Sequence, residues 1–169
     1  AVESYNKALN INPDYAEAYN NLGITLETLL KYDEAVESFE KAIAINSSYT
    51  AAYSNLGHTL YLLNLTDKAL NCFKKALALN PEFIDAHHNM GNIFQDLGRL
   101  DEALNCYVNA LAIEPDDAQI HRNLSTLKNY KPGDTQFEYM QSLLTENNLY
   151  DSERINLCFA LAKAHEDLG

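Results

Sequence analysis

Tryptophan is absent, and only three cysteines, four prolines and six glycines occur in 169 residues. Three cysteines cannot build the even-numbered disulfide framework of a small secreted scaffold. They lean toward free thiols and a reducing, cytoplasmic compartment. Basic residues are scarce: 12 Lys and Arg face 24 Asp and Glu, for a net charge of −12. Phosphate neutralisation needs clustered Lys and Arg, so neither duplex nor single-stranded nucleic acid is expected as a ligand. No run of eighteen apolar residues occurs, so no membrane-spanning segment is expected. A Gly-rich phosphate loop, an HExxH helix and a nucleophile elbow are all missing, and no nucleophile–base set stands in their place. The chain is expected to be non-catalytic, with no cofactor and no metal.

What is present is periodic. Gly23, Gly57 and Gly91 lie 34 residues apart. Around them run three full units, 16–49, 50–83 and 84–117. Position 4 holds Tyr19, Tyr53 and His87; positions 7 and 8 hold Leu22-Gly23, Leu56-Gly57 and Met90-Gly91. Position 20 is Ala35, Ala69 and Ala103, position 24 is Phe39, Phe73 and Tyr107, and position 27 is Ala42, Ala76 and Ala110. Position 32 is Ser47, Pro81 and Pro115. Apolar residues three and four apart mark amphipathic helices. Gly and Ala at the points of closest approach let two helices of a hairpin pack tightly, and the aromatic fills the space they leave. Asp33, Asp67 and Asp101 stand where helix N-caps are expected.

A period of this size marks stacked helix pairs. The residues at positions 4, 7, 8, 20, 24, 27 and 32 resemble the tetratricopeptide repeat (TPR) pattern. The resemblance implies an all-α, right-handed superhelical solenoid of antiparallel helix pairs. Ten helices are expected, over 1–11, 16–30, 33–46, 50–63, 67–80, 84–97, 101–114, 118–130, 135–147 and 152–168. Residues 1–15 read as the second helix of a truncated repeat. Residues 118–154 read as a divergent TPR-like pair with a Lys131–Asp134 turn, placing Gln136 and Leu143 where the others use Ala; that pair is expected to pack less closely. Residues 155–169 read as the first helix of another truncated repeat. The pattern starts and stops in mid-unit, so an excerpt from a longer array is expected. Val2, Tyr5 and Leu9 at one end, and Leu157, Leu161 and Leu168 at the other, are expected to face solvent and to support end-to-end self-association.

Asn21, Asn55, Asn89 and Asn123 all fall on position 6. A carboxamide carries an acceptor and a donor, so it can pair with both the N–H and the C=O of an extended peptide. The alternative is that these residues cap or brace a neighbouring helix. In the TPR family the first helix of each pair lines the concave face and position 6 points into it. The row resembles the asparagine ladder of O-GlcNAc transferase-type TPR regions. By the same family geometry His58, Tyr61, Asp85, His88, Asn92, Gln95 and Arg122 join the peptide-binding lining, along with Glu17, Asn20, Ile24, Glu27, Ser54, Leu62, Asp96 and Thr126. This lining is mixed and slightly acidic, which favours a neutral or basic extended segment. TPR domains that capture chaperone C-termini place Lys, Arg and Asn where this chain has Asn20, Ile24, Asn55, Asp85 and Asn89; only one of five matches, and Asp85 repels a carboxylate.

His87 and His121 fill position-4 aromatic slots, which packing explains. Cys72 and Cys106 fall 34 residues apart on neighbouring second helices, as stacked thiols. The functional expectation is a protein-interaction scaffold that binds an extended peptide in its concave groove. The alternative is the substrate-recruiting TPR region of a larger enzyme, of glycosyltransferase or sulfotransferase type. Leu157 to Gly169 resembles the segment leading out of the repeats in bacterial TPR–sulfotransferase proteins.

Overall fold

The computed structural model describes residues 1–145 and 149–169. Ten α-helices and no strand are present among the described residues: α1 Val2–Ile11, α2 Ala16–Thr28, α3 Tyr32–Ile45, α4 Thr50–Leu62, α5 Thr66–Leu79, α6 Ile84–Asp96, α7 Leu100–Ile113, α8 Ala118–Ser125, α9 Thr135–Thr145 and α10 Asp151–Leu168. The last two residues of the ninth expected helix lie outside the described residues. Two compact units divide the chain, Ala1–Asn89 and Met90–Gly169.

The repeated small residues do what their spacing requires. Ala35, Ala42, Ala69, Ala76, Ala103 and Ala110 are all fully buried. Phe39, Phe73 and Tyr107 are buried beside them, each ring lying against the glycine of its own pair. A methyl group on Gly23 would come within 2.6 Å of the Phe39 ring, one on Gly91 within 2.5 Å of Tyr107, and one on Gly57 only within 3.0 Å of Phe73. In the Gly23 and Gly91 pairs, therefore, the helices stand too close for any side chain at position 8.

Each regular pair turns in the same way. Leu30, Asn64 and Gly98 have φ of 61°, 61° and 70°. The amides of Lys31, Leu65 and Arg99 then donate to the carbonyls of Leu26, Leu60 and Phe94 at 2.8–2.9 Å, the long-range bond of a Schellman ending. The carbonyls of these same three residues accept from Ala35, Ala69 and Ala103, opening the next helix. Lys31, Leu65 and Arg99 are thus the N-caps. Asp33, Asp67 and Asp101, expected as caps, sit just inside, each as the second residue of its helix. There a carboxylate favours the positive end of the helix dipole without bonding an orphan amide. Asp side-chain caps occur instead at Asp117, whose Oδ1 accepts from the Ile120 amide at 2.9 Å, and at Asp134, whose Oδ1 accepts from the Gln136 amide at 3.0 Å.

The second unit departs from the pattern. The expected helix 118–130 stops at Ser125. Position 8 is Ser125 here, fully buried with its hydroxyl donating to the Arg122 carbonyl. Lys128 Nζ bridges to Asp134 Oδ1 (2.8 Å) and Gln136 Oε1 (3.0 Å), and the Tyr130 amide donates to Asp167. These bonds fix the connecting chain that replaces the end of the helix. Tyr130, Met140, Leu143, Leu157, Ala160, Leu161 and Ala164 form the local core, with Leu168 packed on it. Leu157 and Leu161, expected at the surface, are therefore buried, because α10 packs on both α8 and α9. Leu9 is likewise buried, and Val2 and Tyr5 are half-buried. The exposed apolar residues of α10 are Ile155 and Phe159 instead.

Two substitution series test this packing. Adding a methyl to a filled contact costs about 1–3 kcal/mol, while Gly to Ala inside a helix returns about 1 kcal/mol. Gly23→Ala and Gly91→Ala should therefore destabilise, and Gly57→Ala should be near neutral, in urea unfolding. Leu30 is 72% exposed in a left-handed conformation that costs a leucine about 1–2 kcal/mol. Leu30→Gly should raise the thermal midpoint; a fall would show that the Leu30 side chain contributes packing.

Candidate functional site: the carboxamide rows of the first helices

Position 6 of each first helix is half-buried: Asn21 on α2, Asn55 on α4, Asn89 on α6 and Asn123 on α8. Their surroundings differ. In the first unit, Asn55 Nδ2 donates to Asn20 Oδ1 at 2.9 Å. Asn20 is only 4% exposed, so this bond satisfies a buried acceptor and ties α4 to α2. Asn20 and Ser54, expected in the lining, are buried. Asn21 and Asn89 make no side-chain hydrogen bond among the described residues; only the Asn21 backbone carbonyl accepts one, from Thr25.

Three residues further along α4, His58 and Thr59 close on Glu27 of α2. His58 Nδ1 lies 3.2 Å from both Glu27 oxygens, and Thr59 Oγ1 donates to Oε2 at 2.5 Å. A carboxylate only accepts, so His58 Nδ1 carries the hydrogen. Burial alone would raise the Glu27 carboxyl; the bonds from His58 and Thr59 outweigh it and hold it below its usual value. The Glu27 bond raises His58 in turn, against a smaller effect of burial. Tyr61 and His88 are half-buried, and Asp85 is exposed. No group of three or more His, Cys, Asp or Glu placed to hold a metal occurs among the described residues.

In the second unit the carboxamides form one connected network. Asn156 Nδ2 of α10 donates to Gln119 Oε1, Gln119 Nε2 to Asn123 Oδ1, and Asn123 Nδ2 to Asn92 Oδ1, each at 3.0 Å. Tyr107 Oη stands 2.7 Å from Asn92 Oδ1 and 2.9 Å from Gln95 Oε1, and its single hydrogen serves one at a time. Gln95 Nε2 reaches Thr126 Oγ1 at 3.1 Å. Arg122 bonds Asn156 Oδ1 at 3.1 Å and lays its guanidinium over the Phe159 ring, 4.6 Å from the centroid. Here Asn123 braces helix against helix. Asn156 is a member that the period of 34 does not reveal, because it follows Asn123 by 33 residues. Because α10 begins at Asp151, Asn156 is the sixth residue of its helix, as Asn123 is of α8.

The position-4 histidines are structural. His87 Nε2 donates to the Pro81 carbonyl at 2.9 Å and His121 Nε2 to that of Pro115 at 2.7 Å. His121 Nδ1 accepts from Gln136 Nε2 at 3.1 Å, which fits a neutral ring, and burial lowers its pKa accordingly. All three cysteines are free thiols. Burial raises Cys106 to about 11, with Glu102 adding to it.

The His58–Glu27 pair sets a pH dependence. His58 is raised above 6.5, so its contribution is full below that value and is lost as pH climbs through the folded pKa. Glu27 is lowered below 4.5, so its contribution is lost as pH falls through its folded pKa. The stability difference between the wild-type protein and His58→Gln should thus be largest between pH 4.5 and 6.5 and shrink well above that window, by urea unfolding at each pH. Taking the difference removes His121, whose shift runs the other way. A difference independent of pH would contradict the pairing.

No helix among the described residues is long and apolar enough to cross a membrane. A search of curated protein sequences finds no significant match. Among solved structures, the chain is similar to TTC0263, a thermophilic TPR protein of Thermus thermophilus, with TM-score 0.73 and 23% identity over 95% of this chain and 89% of that one. It is similar to YrrB, a TPR protein with an unusual peptide-binding site, with TM-score 0.70 and 21% identity over 99% and 86% of the two chains. It is also similar to the first TPR domain of Spaghetti (RPAP3) bound to the HSP90 peptide SRMEEVD, with TM-score 0.64 and 23% identity over 66% and 89%. These likenesses are of fold. Models of the TPR repeat match residues 1–29 and 91–125, and models of the tetratricopeptide repeat match 16–49, 50–83 and 72–105. With repeat matches reaching from residue 1 to residue 125, and the same glycine–aromatic hairpin built three times, the chain belongs to the tetratricopeptide repeat family.

Proposed function

We propose that this chain is a non-catalytic protein-interaction module that holds an extended, neutral to basic peptide segment by its backbone. The observation that carries the reading is the pair Asn21 and Asn89. Each is half-buried on a first helix, and neither carboxamide has a hydrogen bond among the described residues. Each offers both a donor and an acceptor. Asn55 keeps its carbonyl oxygen and one hydrogen after bonding Asn20. Side-chain selection falls to His58, Tyr61, Asp85 and His88 around them. Exposed Glu17 and Asp85 carry the negative charge that favours a basic segment. In the second unit Asn92, Gln95, Asn123 and Arg122 already spend their side chains on one another and on neighbouring helices.

The relatives support a peptide ligand in general terms, since one has a peptide-binding site and another holds a bound peptide. The HSP90-type acidic tail is a poor fit here. Positions that would grip its carboxylates hold Asn20, Ile24 and Asp85, one of them buried and one negative.

The test is an array of 15-residue peptides followed by fluorescence polarisation on the selected binders. A net hydrogen bond contributes about 0.5–1.5 kcal/mol. Losing four, in the double variant Asn21→Ala and Asn89→Ala, costs at least about 2 kcal/mol, or roughly thirtyfold in Kd. The variant should fold normally, because neither side chain is bonded internally. Unchanged affinity in the double variant, or an array dominated by acidic peptides, would remove this reading.

A further inference from the structure

The second unit carries an apolar groove that the carboxamide site does not use. It lies between α7, α8 and the start of α9, is a shallow, open depression of about 490 Å³, and is walled by Val108, Leu111, Ala112, Leu124 and Tyr139. Its volume falls within the range of small-ligand and side-chain pockets. It opens where the chain leaves the repeat pattern: α8 stops at Ser125, and Thr135 and Gln136 at the start of α9 line it. Val108 is 50% and Tyr139 39% exposed, so the apolar wall reaches solvent.

The two buried or half-buried polar side chains in the groove, His121 and Gln136, are already matched, and Thr135 at its edge is exposed to solvent. His121 bonds the Pro115 carbonyl and Gln136, and Gln136 also accepts from Lys128. With those two matched and five apolar side chains in the wall, the groove favours an apolar guest. Acidic residues adjoin its lining along the chain. Glu114 and Asp116 flank Pro115 of the wall, and Glu138 precedes Tyr139. Tyr139 donates its hydroxyl to Asp116, joining the two sides of the mouth. No Lys or Arg lines the groove, and Lys128 is paired with Asp134. A second copy of this chain, at net charge −12, meets those acidic residues with like charge.

We propose that this groove is a second docking site, on the α7–α8–α9 face, for a protein segment that inserts a bulky apolar side chain and flanks it with Lys or Arg. It stands apart from the backbone-reading row, since none of Asn21, Asn55, Asn89 and Asn123 lines it. The insertion removes the exposed flank of Val108 and the Tyr139 ring from water, and the flanking cations face Glu114, Asp116 and Glu138. Anchors of this kind carry most of the affinity in small interfaces.

The experiment titrates the 15N-labelled protein with the synthetic peptide Ac-KKLLFKK-NH2 and with its counterpart Ac-EELLFEE-NH2, following backbone amide shifts. The Lys peptide should give saturable shifts centred on residues 108–112, 121–124 and 135–139, and the Glu peptide should bind at least about tenfold more weakly, a difference of about 1.4 kcal/mol. Val108→Arg should weaken the Lys peptide by at least about tenfold, and Val108→Ser by less. Both variants alter a half-exposed side chain, and their thermal midpoints establish that they fold. The double variant Asn21→Ala and Asn89→Ala should leave this titration unchanged, so its outcome is separate from that of the peptide-backbone reading. Absence of saturable shifts, equal affinity for the two peptides, or an unaltered Kd in Val108→Arg would overturn the proposal.

Discussion

A glycine of one helix against an aromatic ring of the next sets the distance between the two helices of each regular pair, and much else follows from that distance. Because Gly23 and Gly91 have no room for a methyl group, the rings of Phe39 and Tyr107 lie close under the first helix and are fully buried. A buried ring contributes about 1.5–3 kcal/mol relative to an exposed one. The alanines at positions 20 and 27 keep the remaining backbone close. With the inner faces of the pair so tightly filled, the polar residues of the first helix are turned outward or toward the preceding pair. That is why a carboxamide at position 6 is half-exposed in every pair.

The same residue type then serves two ends. On α8, Asn123 sits in a chain of amides that runs from Asn156 to Asn92 and on to the Tyr107 hydroxyl. Tyr107 takes the place that phenylalanine holds in the other pairs, and its hydroxyl must find partners as it is buried. Asn92 and Gln95 supply them, and Asn123 is drawn into the same network. Phe39 and Phe73 make no such demand. In the Phe39 pair Asn21 makes no side-chain hydrogen bond among the described residues, and in the Phe73 pair Asn55 bonds only Asn20. The Tyr107 hydroxyl thus draws in Asn123 of the following pair, while Asn89 of its own pair makes no side-chain hydrogen bond among the described residues.

Most of the fold was legible because it was written three times. The period of 34, the glycines, the alanines and the rings each recur, and helix positions follow to within one or two residues for the first seven helices. What could not be read was whatever happened once. The early end of α8 depends on Lys128, Asp134 and Gln136 bonding one another across a turn. The burial of Leu157 and Leu161 depends on α10 closing over α8 and α9, a contact without a repeat to announce it. Asp33, Asp67 and Asp101 looked like caps because Asp caps well, but the Schellman ending before them had already set the helix start. In the candidate site the Asn row was visible from spacing alone, whereas the Glu27–His58–Thr59 bridge pairs residues 31 and 32 apart that no motif links. Asn156 was hidden by a spacing one residue short.

The central claim is that carboxamides of identical position differ in availability. Side-chain amide hydrogen exchange, measured by NMR on the free protein and again with a selected peptide bound, reads that difference directly. The account predicts that the NH2 groups of Asn21 and Asn89 exchange at solvent rates when free and slow when peptide is added, while the NH2 of Asn123 is slowed in both states. Slow exchange of Asn21 and Asn89 in the free protein, or rates indifferent to peptide, would contradict it.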